Sequence, residues 1–476
     1  MSRSVRYGLA GLIALALALV LAAVPALAEG ARQVPADKAQ IQLSFAPIVR
    51  KVAPAVVNIY TKRVVETRPI SPLFNDPFFR RFFGGDFQVG PQKRVQGSLG
   101  SGVILRSDGV IVTNHHVIDG AQQITVVLAD RREFEATVTL SDERTDLAIL
   151  HIDPGSAKLP TIELRDESDL EVGDLVLAVG NPFGVGQTVT SGIVSALART
   201  TVGITDFRSF IQTDAAINPG NSGGALVSMD GRLVGVNTAI YSKSGGSIGI
   251  GFAIPASMVR TVLQAALSGT KLRRPWLGAE GQDVTAEIAG SVGLKHIGGV
   301  IIKDIYPNGP AAQAGLKDGD VVVGINGREI SDGEDLRFRI ATLPVGGTAD
   351  LDIVRANRRL NLPIKLVSAP EDPPRNQTKL EGAVPLAGAT VANLSPALAE
   401  EIGTVHGAAR GVVIVAIDRA SIAQRLRLEP GDIVVALNGD AVPSVAELKR
   451  LLSQKPPVWQ LQINRAGQLI NLNVRA

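Results

Sequence analysis

The chain has 476 residues, 45% of them hydrophobic and 20% charged, enough for roughly three domains of about 100 to 200 residues each and unlike a disordered or collagen-like chain. A formal charge of +3 is too close to neutral to suggest nucleic-acid binding, and zero Cys excludes disulfides, thiolate nucleophiles and Cys-based metal sites. Fifty Gly and only 4% aromatic residues suit many short strands and tight turns, so a mainly β protein is expected.

Arg3 and Arg6 precede a charge-free run, Tyr7 to Ala28, that contains Pro25 and closes on Ala26-Leu27-Ala28 before Glu29. A basic start, an apolar stretch and a small-residue site make the pattern of a secretory signal, so residues 1–28 are expected to be removed. The same run is long enough to cross a bilayer uncleaved, but Pro25 and the Ala-x-Ala pattern favour cleavage. A short N-terminal segment, 29–47, follows.

From Val56 to about Ile254, apolar runs such as Val56-Val57-Asn58-Ile59-Tyr60, Val110-Ile111-Val112, Leu175-Val176-Leu177-Ala178-Val179 and Leu233-Val234-Gly235-Val236 alternate with Gly, Asp and Asn. The spacing predicts strands in hairpins and one or two β-barrels. Asp108-Gly109 and Asp230-Gly231 stand between such runs, where turns need positive φ. Residues 66–95 hold Phe74, Phe78, Phe79, Phe82, Phe83 and Phe87 among Pro and Gly. They read as a loop with an aromatic tip, which is either a flap over its own barrel or a contact with another subunit or substrate.

Thr113-Asn114-His115-His116-Val117-Ile118 follows a strand and offers a proton acceptor suited to neutral pH, in a chain with only five His. Asp146, in Arg144-Thr145-Asp146-Leu147-Ala148-Ile149, stands before an apolar strand and would orient the imidazole; Asp142 is the alternative acid. Gly220-Asn221-Ser222-Gly223-Gly224 supplies a hydroxyl nucleophile. The backbone of Gly220, Asn221 and Ser222 would form the oxyanion pocket, with the Gly220 and Ser222 N–H groups turned to one point. The order His116, Asp146, Ser222 is that of the chymotrypsin fold. No further carboxylate or His at ligand spacing joins His115 and His116, so no metal site is expected.

Beyond residue 270 the pattern repeats. Gly299-Val300-Ile301-Ile302 recurs as Gly411-Val412-Val413-Ile414, and Gly319-Asp320-Val321-Val322-Val323 as Gly431-Asp432-Ile433-Val434-Val435. Ile325-Asn326-Gly327 recurs as Leu437-Asn438-Gly439, and Leu336 as Leu448 in a helix-like segment, all at an offset of 112 residues. A constant offset through four elements marks two copies of one domain. The stretch Ser368-Ala369-Pro370-Glu371-Asp372-Pro373-Pro374-Arg375-Asn376-Gln377 between them reads as a linker.

These motifs, with Asn181-Pro182-Phe183-Gly184, Thr190-Ser191-Gly192-Ile193-Val194-Ser195, the run Gln212 to Gly224 and Gly249-Ile250-Gly251-Phe252-Ala253-Ile254-Pro255, resemble the Do-like (HtrA/Deg) serine proteases over about residues 45 to 476. His115 departs from the family, which usually has Asn there. The resemblance implies a chymotrypsin-like double β-barrel protease domain over 48–270 and two PDZ-like α+β domains over 271–367 and 381–476, joined by 368–380. It implies an ATP-independent periplasmic serine endopeptidase for unfolded, misfolded or mislocalised proteins, with a His116-Asp146-Ser222 triad and an acyl-enzyme. No cofactor or nucleotide is implied.

It also implies a substrate pocket from Ile217, Ile248, Gly249, Ile250, Gly251 and Phe252. No acid stands there, so cleavage after small aliphatic residues is expected. Trp276-Leu277-Gly278-Ala279 looks like the carboxylate loop of the first repeat, binding C-terminal peptides by strand addition, with Leu386-Ala387-Gly388-Ala389 its counterpart at an offset of 110. Leu426-Arg427-Leu428 replaces Ala314-Gly315-Leu316 in the second repeat, which puts its ligand binding in doubt and makes a docking role as good a reading. A homotrimer or higher homo-oligomer built through the N-terminal segment and the Phe-rich loop is implied. The rival readings are a holdase with a latent protease site and a membrane-anchored stress sensor.

Overall fold

The structure, a computed structural model, describes residues 44–65, 94–165, 169–181, 186–199, 209–218, 220–240, 247–270, 272–294, 296–403, 411–454 and 456–475. The expected leader over 1–28, residues 29–43 of the N-terminal segment, the Phe-rich residues 66–93 and Pro182-Phe183-Gly184 lie outside them. The chain divides into two units, Met1–Pro47 and Ile48–Ala476, and the second carries every sheet.

The first sheet has seven strands: β1 (Val56–Val65), β2 (Arg94–Ile104), β3 (Val110–Thr113), β4 (Gln123–Val127), β5 (Glu133–Glu135), β6 (Thr137–Asp142) and β7 (Leu147–His151). Their order is β5-β4-β1-β2-β3-β7-β6. The two edges, β5 and β6, are consecutive in the chain and joined by Ala136, whose N–H donates to Ile124 O at 2.9 Å, so the sheet curls back on itself. The second is a closed barrel, β10-β13-β12-β11-β8-β9, of β8 (Leu175–Gly180), β9 (Thr188–Arg199), β10 (Phe210–Thr213), β11 (Ala225–Ser228), β12 (Leu233–Ile240) and β13 (Gly251–Pro255). Val176, Ala178, Val194, Ile211, Leu226 and Val234 fill it. Both turn predictions hold, with φ of 100° at Gly109 and 78° at Gly231. Helix α1 (His115–Ile118) follows β3, and α2 (Ala256–Ser268) leads out of the barrel, ending on left-handed Gly269.

The repeats are two copies of one sheet. The first contains β15 (Ala279–Asp283), β16 (Val300–Ile305), β17 (Val321–Ile325), β18 (Arg328–Glu329), β19 (Thr348–Arg355) and β20 (Arg358–Lys365), while β14 (Pro275–Trp276) and β21 (Val367–Ser368) pair in a separate two-stranded sheet beside it. Helices α3 (Ala286–Ser291), α4 (Pro310–Gln313) and α5 (Gly333–Ala341) pack on it. The second contains β22 (Thr378–Lys379), β23 (Ala389–Asn393), β24 (Val412–Ile417), β25 (Ile433–Leu437), β26 (Asp440–Ala441), β27 (Val458–Arg465) and β28 (Gln468–Arg475). Its helices are α6 (Pro396–Glu401), α7 (Ile422–Arg425) and α8 (Val445–Leu452). Val300, Ile302, Val322 and Leu336 lie in one core and their partners 112 residues on, Val412, Ile414, Val434 and Leu448, in the other. Each fully buried aliphatic side chain contributes about 1.5 to 3 kcal/mol.

The Pro-rich stretch differs from a free linker. Asn393 donates from its backbone N–H to Arg375 O at 2.7 Å and from Nδ2 to Pro374 O at 2.8 Å, and β22 pairs antiparallel with β23. The edge of β23 leaves backbone groups unpaired, and the stretch satisfies them.

Candidate active site

Helix α1 begins after Asn114, whose backbone is extended, and buries Val117 and Ile118, so His116 is held in its first turn beside the β6–β7 connection. Asp146 closes that connection at φ 55°, its N–H donating to Glu143 O at 3.2 Å. Its carbonyl accepts from His115 N–H at 3.1 Å and Asn114 Nδ2 at 2.9 Å. The carboxylate accepts from His116 N–H at 3.0 Å and faces His116 Nδ1 at 2.9 and 2.8 Å. With Nδ1–H spent on the carboxylate, Nε2 is the ring nitrogen left to accept a proton.

The electrostatics follow from that contact. Burial pushes the Asp146 carboxyl up, but the His116 charge and ring, the Thr238 hydroxyl and the His116 N–H outweigh it and hold the group below the usual carboxylate range. Burial pulls the His116 imidazole down, while Asp146 overcomes this and lifts it above its ordinary value. Asp142, the alternative acid, turns to Arg274 Nη2 at 2.5 Å and to Thr145 instead, so the structure pairs His116 with Asp146.

The nucleophile loop is pinned from the first sheet. Ser101 on β2 is fully buried; its N–H donates to Ser222 O at 2.8 Å and its Oγ to Gly220 O at 2.6 Å. A Cβ on Gly223, at φ 82°, would stand 2.1 Å from Ser101 O, so only glycine fits there. Asn221 N–H donates to Asn218 O at 3.0 Å, which removes it from the expected oxyanion pocket. The Gly220 and Ser222 N–H groups donate to no described residue.

Thr238 on β12 is a residue that the sequence reading misses. Its Oγ1 donates to Asp146 Oδ2 at 2.6 Å, and its carbonyl accepts from Ser222 Oγ at 3.1 Å. One residue thus touches both ends of the site, and among the described residues the Ser222 hydroxyl bonds to Thr238, not to His116. A Thr on a buried strand carries no sequence mark of that role. His115 faces Ser141 Oγ at 2.7 Å through Nδ1, away from Asp146's carboxylate.

The residues expected to line the substrate pocket differ in exposure. Ile217 is 1% exposed within the barrel core, where it packs over Gly251, and Phe252 lies buried on Phe210 with ring centroids 6.0 Å apart. Both side chains are buried in the second barrel, Ile217 within its apolar core. Ile248 and Gly249 are exposed, and Ile250 is half-buried.

The Trp276 to Ala279 loop is tied down through its carbonyl oxygens. Leu277 O accepts from Ala311 N–H and Gly278 O from Tyr306 N–H, while the N–H groups of Leu277 and Gly278 donate to no described residue. Trp276 packs edge-on against Tyr306 at 5.1 Å. A cavity of about 720 Å³ runs from this loop past β15 and α5, lined among others by Leu277, Gly281, Ile302, Leu336 and Ile340.

Residues 100–236 match the trypsin-like peptidase domain and residues 275–366 the PDZ domain. The chain is 38% identical over 442 residues to the Periplasmic pH-dependent serine endoprotease DegQ of Escherichia coli, covering 92% of this chain and 93% of that one. It is 37% identical over 487 residues to the Periplasmic serine endoprotease DegP of Escherichia coli, covering 97% and 98%. A solved structure of the HtrA-type protease AlgW with decapeptide is 46% identical, with a TM-score of 0.50, covering 69% of this chain and 99% of that one.

Proposed function

The chain belongs to the Do-like (HtrA) serine proteases with PDZ domains, and on that premise we propose that it is an ATP-independent periplasmic endopeptidase that degrades unfolded, misfolded or mislocalised proteins. The observation that carries the reading is the His116–Asp146 pair, clamped at main chain and side chain and tied through Thr238 to Ser222. In the proposed reaction Ser222 Oγ leaves the Thr238 carbonyl, gives its proton to His116 Nε2 and attacks a peptide carbonyl. The oxyanion meets the Gly220 and Ser222 N–H groups, and His116 returns the proton to the departing amine. Water then resolves the acyl-enzyme by the same route. With no acid in the wall from Ser247 to Ile254, cleavage follows Val, Ala, Ile or Leu.

In this reading the first PDZ-like domain, over 271–367, presents exposed C-termini to the protease domain over 48–270. The leader over 1–28 directs export, and subunits join as trimers or larger assemblies. A second reading, a holdase with a latent site, draws on one observation: the Ser222 hydroxyl rests on Thr238 O. A shift in population between two arrangements of this loop would separate the two activities.

The test is cleavage of an unfolded, disulfide-free protein by the mature chain beside its Ser222→Ala variant, with products mapped by mass spectrometry. Cutting by the wild type alone, after small aliphatic residues, is expected. Products ending mainly in Lys or Arg would remove the apolar pocket. Suppressed aggregation with no cutting by either protein would favour the holdase.

A further inference from the structure

The cavity beside the Trp276 to Ala279 loop has two apolar walls. The first repeat supplies one, with Ile302 on β16 and Leu336 and Ile340 on α5. The second repeat supplies the other, with Leu394, with Pro396 and Ala399 of α6, and with Pro443 before α8. The residues of the second wall lie more than 100 positions from β15, so nothing local in the sequence marks them as part of the groove. A volume of about 720 Å³ between the walls is in the range that encloses a ligand of several residues, not a lone water.

The second wall is fastened by the stretch that joins the repeats. Tyr306 of the first repeat donates from its hydroxyl to Asp372 O at 3.0 Å, and Pro370 O accepts from Ala397 N–H at 3.1 Å in the first turn of α6. Ser395 Oγ caps that helix at Leu398 N–H, 3.1 Å away, and donates to Glu371 Oε1 at 2.7 Å. Arg375 then ties Glu371 at 2.9 Å to Glu401 at 2.6 Å, and Arg144 of the protease domain donates to the main-chain oxygen of Glu400. A wall already fixed this way loses less freedom on binding than one that must be gathered.

The occupant is set by backbone chemistry. Strand β15 ends its sheet, and the N–H groups of Leu277 and Gly278 donate to no described residue, so the edge and the loop together suit an extended chain that ends in a carboxylate. Successive side chains of such a strand point to opposite faces. Those of its last and third-from-last residues turn to Ile302, Leu336 and Ile340, and in a groove with one wall those between them would face water. We propose that the second repeat, whose own edge is filled by β22, serves as the opposite wall of the first repeat's groove and selects an apolar residue at the second position from the C-terminus of a captured peptide. The inference deepens the reading of the first repeat as a site for C-terminal peptides and rests on it.

The experiment is fluorescence anisotropy on the full mature chain carrying Ser222→Ala, with heptapeptide free acids that differ at one position. Leu at the second position from the end should bind roughly three- to tenfold more tightly than Ser, because the second wall takes it out of water. Adding Ala399→Asn should remove that preference and leave the preference for an apolar last residue as it was. Pro443→Ser, outside α6, should reduce the same preference, and it decides the matter alone if Ala399→Asn fails to fold. Equal binding of the Leu and Ser peptides to the parent chain, with an apolar last residue still preferred, would overturn the second wall and spare the peptide site. An unchanged Leu preference in both variants would overturn it too. Binding of no peptide to the parent would overturn the peptide-site reading itself, and the second wall with it.

Discussion

In the first repeat Arg355 grips Asp320 through two hydrogen bonds of 2.6 Å and reaches Gly315 O at 2.7 Å; in the second, Arg465 grips Asp432 at 2.6 and 2.7 Å and reaches Arg427 O at 2.8 Å. The frames agree and the edges do not. Strand β15 ends its sheet, whereas β23 carries β22 outside it, with Leu380 N–H on Ala389 O at 2.9 Å and Gly388 N–H on Leu380 O at 2.8 Å. The cause lies in the chain that precedes each repeat. Residues before the first are helix α2, whose backbone is spent internally, while those before the second are extended and lie along the edge. Two copies of one domain therefore present different surfaces: one a groove, the other a groove already filled.

The largest expected effect is on stoichiometry. An apolar C-terminal peptide titrated into the Ser222→Ala chain should saturate at one per chain by calorimetry, and two would break the comparison. Paired core truncations sharpen it. Leu336→Ala and Leu448→Ala each leave a cavity in a buried helix contact and should cost about 2 to 5 kcal/mol in their own repeat. Only Leu336→Ala should also weaken peptide binding, because Leu336 lines the cavity. Next come the clips. Asp320→Asn and Asp432→Asn remove a buried charged acceptor from Arg355 or Arg465, and each should cost about 2 kcal/mol, read by hydrogen exchange of the β17 or β25 amides. A large loss in one repeat beside none in the other would show that the shared geometry does not carry shared energy.

The same comparison explains what was legible in the sequence. The repeats recur at a fixed spacing and the turns at Gly109 and Gly231 are local in sequence, so pattern alone finds them; the pairing of His116 with Asp146, 30 positions on, needs the family motif and the strand after Asp146 as well. Thr238 acts 92 positions from Asp146, and the second edge of β23 is filled by residues that composition marks only as a linker. Such contacts depend on which strands closure of the barrel and of the sheet brings side by side. Ile217 and Phe252 are legible only as apolar residues near the nucleophile; that both are buried follows from the closure of the second barrel, which pattern does not show.

The smallest effect tests the one substitution inside the shared frame. Gly315 has φ 78° and Arg427, its counterpart, φ 57°, so the second repeat places a side chain where the backbone is left-handed. Both carbonyls accept the clip arginine, and Leu316 and Leu428 that follow are each 4% exposed. The turn is thus dictated by the clip and the buried leucine, not by glycine. A left-handed non-glycine residue costs roughly 1 kcal/mol, and the space around Gly315 is open, with no atom within 4 Å of an added Cβ. Gly315→Arg should therefore destabilise the first repeat by about 1 kcal/mol, and Arg427→Gly should stabilise the second by a similar amount, less the extra freedom of glycine in the unfolded chain. Exchange rates in the two repeats should move in opposite directions while peptide stoichiometry stays at one. If Arg427→Gly instead created a second binding site, the missing glycine, and not the filled edge, would be what silences the second repeat.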